Sequence, residues 1–213
     1  MHGRGRGARR AIGLLIVAGA LMGAAMGPGA GHASGAVSCS GVPFAQPFLP
    51  WLDPASYFLA PDGGFERGGA GWTLTGGAKI ARGNETFSVN AAADARSLVL
   101  PAGSSATSPA TCITADSPTL RLFALNSGSA LSTLDVELVL TDPLLGIRAV
   151  PVGSVVAGST WSPTPVIPLA VNLTALPVAS DGTVSAKLRF TPAGLFAADW
   201  RIDDVYVDPF KGS

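Results

Sequence analysis

The amino-acid sequence predicts an all-β fold, either a β-sandwich or a barrel. Several short windows alternate apolar and polar residues with a period of two, as half-buried strands do; residues 134–140 and 184–190 are the clearest. Glycine, proline, asparagine and aspartate residues that favour turns recur between these windows. Beyond the N-terminal region, no window keeps helical periodicity over three turns.

The N terminus has the organisation of a signal peptide. Residues 1–10 hold four arginines and no acidic residue, and an apolar run of 16 residues follows, from Ala11 to Met26. Small residues come next, so we expect cleavage after Ala33 or Ala36 and assign residues 1–36 to the signal peptide. A spanning helix usually needs about 20 apolar residues, which makes a retained anchor the less favoured alternative. We therefore expect a secreted or cell-envelope protein that is not inserted in a membrane after cleavage. The sequence is compatible with more than one export route.

The composition indicates a turn-rich globular fold with a weakly acidic surface. Charged residues make up only 13% of the chain, which contains 27 glycines and 17 prolines. Removal of residues 1–36 takes away four of the fourteen basic residues and no acidic residue, which leaves a formal charge of −4. Nucleic acids and anionic lipid surfaces are therefore poor candidates as partners.

The two clearest strands each have one apolar face. In residues 134–140 the apolar face is formed by Leu134, Val136, Leu138 and Leu140, and in residues 184–190 it is formed by Val184, Ala186, Leu188 and Phe190. Weaker strands are predicted at residues 72–80, 120–125, 147–152 and 166–173, and single helical turns at 91–96 and 193–198. Residues 37–60 are predicted to form an extended arm, anchored by Trp51 and Tyr57, on a sandwich domain of residues 61–213.

The chain has two cysteines, Cys39 and Cys112. Because an exported chain reaches a compartment in which disulfides persist, we expect these two residues to pair. In the chain-entropy model a loop of this length contributes roughly 4 to 5 kcal/mol, which would fasten the arm to the body. The alternative is that Cys39 carries a lipid, but it lies far beyond the apolar run.

The histidine content excludes several kinds of catalytic site. The only histidines are His2, within the signal peptide, and His32, at its cleavage region. Without a histidine, the mature domain has no Ser-His-Asp or Cys-His arrangement and no histidine-bearing zinc site. Two carboxylates suffice for glycoside hydrolysis, so Glu66 and Glu85 leave a small glycosidase as an alternative.

The end of the sequence places two acids within an apolar strand, at Asp203 and Asp204. Strict alternation from Trp200 to Val207 directs one of them inward, where an unpaired carboxylate is costly unless it binds a cation. Calcium suits oxygen ligands of this kind. Two alternatives stay open: a bulge that returns both acids to solvent, or an ion pair with Arg201 or Arg82.

Two segments resemble carbohydrate-binding modules with the galactose-binding-like jelly-roll fold. Pro61-Asp62-Gly63-Gly64-Phe65-Glu66, followed by Gly71-Trp72-Thr73-Leu74, is similar to their opening strand pair, and the segment from Trp200 to Val207 resembles their closing strand. The resemblance implies a jelly-roll β-sandwich of two antiparallel sheets over residues 61–208, with Trp72 and Trp200 in the core. It also implies a structural calcium ion held by Glu66 and Asp204, with Asp203 as the alternative and Asn84 or Glu85 as additional ligands.

Trp161 lies among polar turn residues and is the best candidate for a ring that contacts a sugar, although a ring packed at the rim of the fold is the favoured alternative. We therefore expect a secreted, non-catalytic domain that binds carbohydrate or cell-wall glycan and holds a structural calcium ion. A structural or adhesive envelope protein without a sugar site is the second hypothesis, and the glycosidase is the third. The oligomeric state stays open.

Overall fold

The computed structural model describes residues 41–114, 118–142, 146–169, 183–194 and 199–208. These residues belong to a compact unit that spans residues 35–213. The predicted signal peptide, residues 1–36, and Cys39 lie outside the described residues, so the signal peptide and the Cys39–Cys112 disulfide stay predictions. No helix within the described ranges is long and apolar enough to cross a bilayer.

The described residues form one short 3₁₀ helix, Leu49–Trp51, and thirteen strands. The strands are β1 (Phe58–Leu59), β2 (Thr73–Thr75), β3 (Lys79–Arg82), β4 (Arg96–Leu100), β5 (Ser105–Thr107), β6 (Thr111–Thr114), β7 (Thr119–Asn126), β8 (Thr133–Asp142), β9 (Gly146–Val155), β10 (Ser162–Pro163), β11 (Ile167–Pro168), β12 (Thr183–Ala193) and β13 (Trp200–Asp208).

The strands pair into two antiparallel sheets. The first sheet has the order β10-β7-β13-β4-β3, with β1 paired to β13 and β11 paired to β7. The second sheet has the order β2-β5-β12-β8-β9, with β6 paired to β12. The predicted all-β sandwich of two antiparallel sheets is therefore confirmed, and it has the jelly-roll architecture.

The core lies between the two sheets, where the predicted apolar faces meet. The inward side chains of β8 and β12 are at most 3% exposed, which confirms both clearest predictions. Trp72 and Trp200 are core residues, as the resemblance implied. Each indole N–H has an acceptor: Trp72 Nε1 donates to the Pro61 carbonyl at 2.9 Å, and Trp200 Nε1 donates to Ser132 Oγ at 2.7 Å.

Two predicted elements were wrong. The strand at 72–80 divides at Gly76 and Gly77, which both have positive φ, into β2 in the second sheet and β3 in the first sheet. Residues 91–96 form a turn that leads into β4 instead of a helical turn. The single turn at 193–198 and the second half of the strand at 166–173 extend beyond the described residues.

β13 contains a bulge where its pairing with β7 shifts between Asp203 and Tyr206. Asp204 has φ of +46°, and the extra residue changes the phase of the alternation, so Ile202 and Val205 are both fully buried. The alternative of a bulge that returns both acids to solvent is therefore wrong in its outcome, because the bulge is present but keeps both acids buried. Asp203 and Asp204 are both 0% exposed.

The arm lies against the outer face of the first sheet. Ala45 and Tyr57 pair across the arm, and Phe48 stacks on Phe123 of β7 with ring centroids 5.6 Å apart. Phe48, Tyr57, Phe123 and Tyr206 form a buried aromatic cluster separate from the main core, which we call the arm cluster. Trp51 packs against it, so both predicted anchors contribute to this contact.

An ion pair also joins the arm to the sheet. Arg121 Nη1 lies 2.7 Å from Asp53 Oδ2, which also accepts a hydrogen bond from the Tyr57 hydroxyl at 2.9 Å. The Arg121 guanidinium lies 4.3 Å from the centroid of the Phe48 ring. Burial alone would raise the pKa of Asp53, but the hydrogen bonds from Arg121 and Tyr57 outweigh it and hold the pKa below its ordinary value.

We expect Gly76→Ala to destabilise the fold. A Cβ at Gly76 would lie 2.3 Å from the Gly103 carbonyl oxygen, whereas a Cβ at Gly68 would meet nothing within 4 Å. Both residues have positive φ, so Gly68→Ala controls for the backbone cost alone. Urea unfolding should show Gly76→Ala to be about 2 kcal/mol less stable than Gly68→Ala, because overpacking against backbone is costly. Equal stability of the two variants would contradict the close approach of the turn after β2 to the turn before β5.

Candidate functional site

Carboxylates from three segments lie together at one place in the fold. The segments are the turn that contains Gly64, the loop between β3 and β4, and the bulge of β13. The carboxylates influence one another electrostatically, and we call them the acidic cluster: Glu66, Glu85, Asp94, Asp203 and Asp204. The left-handed backbone at the bulge allows Asp204 to face Gly64.

Asp204 is the unusual member of the cluster. Both of its carboxylate oxygens are buried and lack a hydrogen-bond partner. A Cβ built on Gly64 would lie 3.0 Å from Asp204 Oδ1, 3.4 Å from Asn90 Nδ2 and 3.8 Å from Asp94 Oδ2, so a side chain at position 64 would enter this space. An unpartnered buried carboxylate is costly, which makes Asp204 the residue that requires an explanation.

The other acids that sequence analysis named are already hydrogen-bonded to the backbone. Asp203 Oδ2 accepts from the Glu85 N–H at 3.0 Å, and Asp203 Oδ1 accepts from the Asp204 N–H at 2.9 Å. Glu66 Oε1 accepts from the N–H groups of Ala95 and Arg96, each at 2.7 Å. These acids therefore tie the three segments together and are less available as ligands than Asp204.

The electrostatic environment disfavours the charged forms of both aspartates. Burial raises the pKa of Asp203 well above its ordinary value, and the neighbouring charge of Asp204 raises it further. Burial also raises the pKa of Asp204, with further contributions from Glu85 and Asp94. The Asn90 N–H lowers the pKa of Asp204 in part, although it does not reach hydrogen-bonding geometry with either oxygen.

Asn84, in the loop between β3 and β4, also has an unpartnered oxygen. Its Oδ1 is buried without a partner, whereas its Nδ2 donates to the Glu85 carbonyl at 3.2 Å. Amide and carboxylate oxygens are hard ligands of the kind that calcium prefers, so the unpartnered oxygens of Asn84 and Asp204 have the chemistry of calcium ligands. Within the described ranges, no three His, Cys, Asp or Glu side chains form a preassembled metal-binding group. Asp204 and Asn84 have unpartnered oxygens, whereas Glu66 and Asp203 accept backbone hydrogen bonds.

Asn90 and Asp94 also belong to this site, although neither was among the residues predicted for it. Asn90 Nδ2 donates to Asp94 Oδ2 at 2.7 Å, and both side chains face the space above Gly64. The density of Asn, Asp and Glu residues between positions 84 and 94 was the available signal. Their placement beside β13 depends on contacts between residues that are more than a hundred positions apart in the sequence.

The proposed glycosidase pair is not arranged for catalysis. Glu85 is 2% exposed, and its two carboxylate oxygens accept backbone hydrogen bonds from Phe87 and Val89. The carboxylate of Glu66 accepts hydrogen bonds from backbone N–H groups at the start of β4. Glu85 therefore presents no carboxylate to a substrate.

Trp161 immediately precedes β10 of the first sheet. It is partly buried and packs against the arm cluster, as the favoured alternative expected. The Arg201 guanidinium lies over the Trp161 ring, 5.8 Å from its centroid. Its role in ligand binding stays a prediction.

The outer face of the second sheet carries a shallow groove, which we call the polar trough. It consists of two adjoining depressions of about 380 Å³ each that share Glu137 and Thr191. Its described lining includes the polar residues Ser105, Asp135, Glu137, Ser154, Arg189 and Thr191. Neighbouring strands hold these side chains at fixed spacing.

Hydrogen bonds hold the carboxylates and the guanidinium of the polar trough in place. Arg189 Nε donates to Glu137 Oε2 at 2.7 Å, and both side chains remain partly exposed. Asp135 Oδ1 accepts from Ser154 Oγ at 2.7 Å. The trough therefore offers positioned donors and acceptors, and no aromatic ring is among its described lining residues.

No protein-family model matches the sequence, and none of the curated proteins does. The chain is similar in structure to a family 61 carbohydrate-binding module in complex with β-1,4-galactotriose, at 17% identity and a TM-score of 0.42, over 71% of this chain and 97% of that one. It is also similar to the CBM22-1 xylan-binding domain of Paenibacillus barcinonensis Xyn10C, at 16% identity and a TM-score of 0.47, over 70% and 93% of the chains. A family 4 module matches at 21% identity and a TM-score of 0.41, over 68% and 98%. These three structures are carbohydrate-binding modules, as in the predicted resemblance, and at these identities the likeness concerns the fold alone.

Proposed function

We propose that the chain is an exported, non-catalytic domain that binds neutral polysaccharide through the polar trough. The supporting observation is the set of fixed hydroxyl, carboxylate and guanidinium groups on β5, β8, β9 and β12, which match the donors and acceptors of sugar hydroxyls. Rigid strands position such groups more precisely than loops do. A sugar chain lying across the strands would hydrogen-bond to Asp135 and Arg189 without displacing the backbone.

The proposed function includes a structural calcium ion at the acidic cluster. Asp204 would supply oxygen ligands, with Asp94 at the rim of the same space, and Asn84 would add the amide oxygen that has no partner. A bound cation would offset the burial and the repulsion by neighbouring carboxylates that together raise the pKa of Asp204, and it would join the β13 bulge to the loop before β4. In this role the ion stabilises the fold and takes no part in sugar binding.

A structural or adhesive envelope protein without a sugar site is the second candidate function. The observation that favours it is the lack of an aromatic ring among the described residues of the polar trough. Stacked rings supply much of the contact area in many binding sites, so a trough without them depends on hydrogen bonds alone.

We expect Arg189→Ala to weaken binding to insoluble galactan or xylan by about tenfold, because it removes a charged hydrogen-bond donor. Depletion of the protein from solution by the polysaccharide measures this change. Lys187→Ala is the matched control, since Lys187 lies on the same strand and face but does not line the described trough. It should bind like the wild type.

Two outcomes would contradict this assignment. If Trp161→Ala abolishes retention while Arg189→Ala does not, the sugar site lies on the first sheet. If no neutral glycan retains the wild-type protein, the proposal of sugar binding is wrong. The second candidate function, a structural or adhesive envelope protein, is then favoured. Circular dichroism of each variant establishes that it is folded.

A further inference from the structure

The outer face of the first sheet carries a row of side chains at one register level, beside the part that the arm covers. Lys79 of β3 pairs with Val99 of β4, which pairs with Arg201 of β13, which pairs with Leu125 of β7. The register of β10 on β7 places Trp161 next in line, because Ser162 is opposite Ala124. We call these five residues the cationic row.

The side chains of the cationic row face away from the core. Their neighbours along the strands, such as Leu98, Ala124 and Ile202, are fully buried, so the alternation directs the row outward. Lys79 is exposed, and the other four members are partly exposed. The arm covers Phe123 and Tyr206 of the same sheet, and Trp161 packs against the arm cluster at one end of the row.

The guanidinium of Arg201 is held in place by neutral acceptors. Its Nη2 donates to the carbonyl oxygens of Arg82 at 2.7 Å and Gly83 at 2.8 Å, and to Ser97 Oγ at 2.6 Å. None of the described residues accepts a hydrogen bond from its Nη1. The positive charge is therefore fixed on the sheet, and no described carboxylate forms an ion pair with Arg201 or Lys79.

The spacing of the row suits an extended ligand that carries repeated negative charges. Strands lie about 4.8 Å apart, so Arg201 and Lys79, which are two strands apart, stand about 10 Å from each other at the backbone. The apolar side chains of Val99 and Leu125 alternate with these cations. A chain of sugar rings presents the same combination when each ring has an apolar face and an anionic substituent.

We propose that the cationic row binds an acidic polysaccharide, whose carboxylate or sulfate groups pair with Arg201 and Lys79. The ring faces lie on Val99 and Leu125, and Trp161 closes one end of the row. This site lies on the opposite sheet from the polar trough and takes a charged ligand, so it goes beyond the proposed function. Asp199, which immediately precedes β13 and lies two residues before Arg201, is exposed and opposes such a ligand.

Affinity electrophoresis in gels containing polygalacturonate, dextran sulfate or neutral galactan tests this proposal. Lys79→Glu should weaken the binding of an acidic polysaccharide by about tenfold, because a favourable charge becomes a repulsive one. Lys187→Glu changes the net charge equally on the second sheet and should change the affinity less than twofold. Asp199→Asn should strengthen binding, and 0.5 M NaCl should weaken it.

The outcomes separate this proposal from the sugar-binding function of the trough. Selective loss in Lys79→Glu supports the row, and retardation by polygalacturonate alone or by dextran sulfate alone identifies carboxylate or sulfate as the recognised group. Equal loss in Lys79→Glu and Lys187→Glu, no retardation by either acidic polysaccharide, or equal binding of single-stranded DNA overturns the proposal. Binding of neutral galactan, and its sensitivity to Arg189→Ala, is unaffected by any of these results.

Discussion

Asp53→Asn is expected to lower the free energy of unfolding by about 3 kcal/mol, because it leaves the buried Arg121 guanidinium without its counter-charge. The side chains of Arg121 and Asp53 are only 8% and 15% exposed, so water compensates the loss poorly. The substitution also removes the acceptor of the Tyr57 hydroxyl. Urea unfolding followed by tryptophan fluorescence measures the change, since Trp51 packs beside the arm cluster.

The pH dependence of stability gives an independent test of this pair. Because the folded protein holds the pKa of Asp53 below the ordinary value of 3.8, the stabilisation is present above that pH and is lost as the pH falls through the lowered pKa. Asp53→Asn should therefore be less sensitive to acid than the wild type. Glu137→Gln is the matched control: it breaks a more exposed carboxylate–arginine pair and should cost less than about 1 kcal/mol. Equal losses of unfolding free energy in Asp53→Asn and Glu137→Gln would contradict the role of the Asp53–Arg121 ion pair in holding the arm on the sheet.

Removal of calcium from the wild-type protein is expected to lower its melting temperature by about 5 to 10 °C. This range applies when the free calcium concentration before removal is about a hundred times the Kd. A ligand that binds only the folded state must stabilise it, and differential scanning calorimetry with and without EGTA measures the shift. Asp204→Asn should abolish the response to calcium. Asparagine is the suitable replacement, because it tolerates the positive φ at this position.

The stability without calcium distinguishes a calcium site from a merely structural acid. In EGTA, Asp204→Asn should be at least as stable as the wild type, because it removes a buried negative charge beside Glu85 and Asp94. Asp135→Asn, on the second sheet, should keep the full response to calcium. A wild-type melting temperature that EGTA does not change, or a calcium response that persists in Asp204→Asn, would contradict the site.

The alternation of apolar and polar residues in the sequence was enough to predict the strands in which buried and exposed side chains alternate without interruption. β8 and β12 follow a strict period of two, because each has one face on the core and one on solvent. Residues 72–80 also read as one strand, yet they divide between two sheets at Gly76 and Gly77. Which sheet each half joins depends on distant partners in β4 and β5, which local pattern does not contain.

The candidate site was predictable only in part for the same reason. The resemblance named Asp204 and Asn84, whose oxygens are the unpartnered ones, whereas Asn90 and Asp94 required knowledge of where the loop before β4 lies. The pairing of Asp53 with Arg121 joins residues 68 positions apart. Nothing in the sequence around Asp53 or around Arg121 indicates that these two residues form an ion pair.

The central place of β13 bears on when this protein acquires its structure. This strand follows every other described strand in sequence, yet it lies between β7 and β4 and also holds β1. A ribosome or an export channel that releases the chain from its N terminus delivers β13 after the segments that it joins. We therefore expect the earlier segments to stay incompletely assembled until residues 200–208 emerge, and a chaperone to find them accessible throughout that interval.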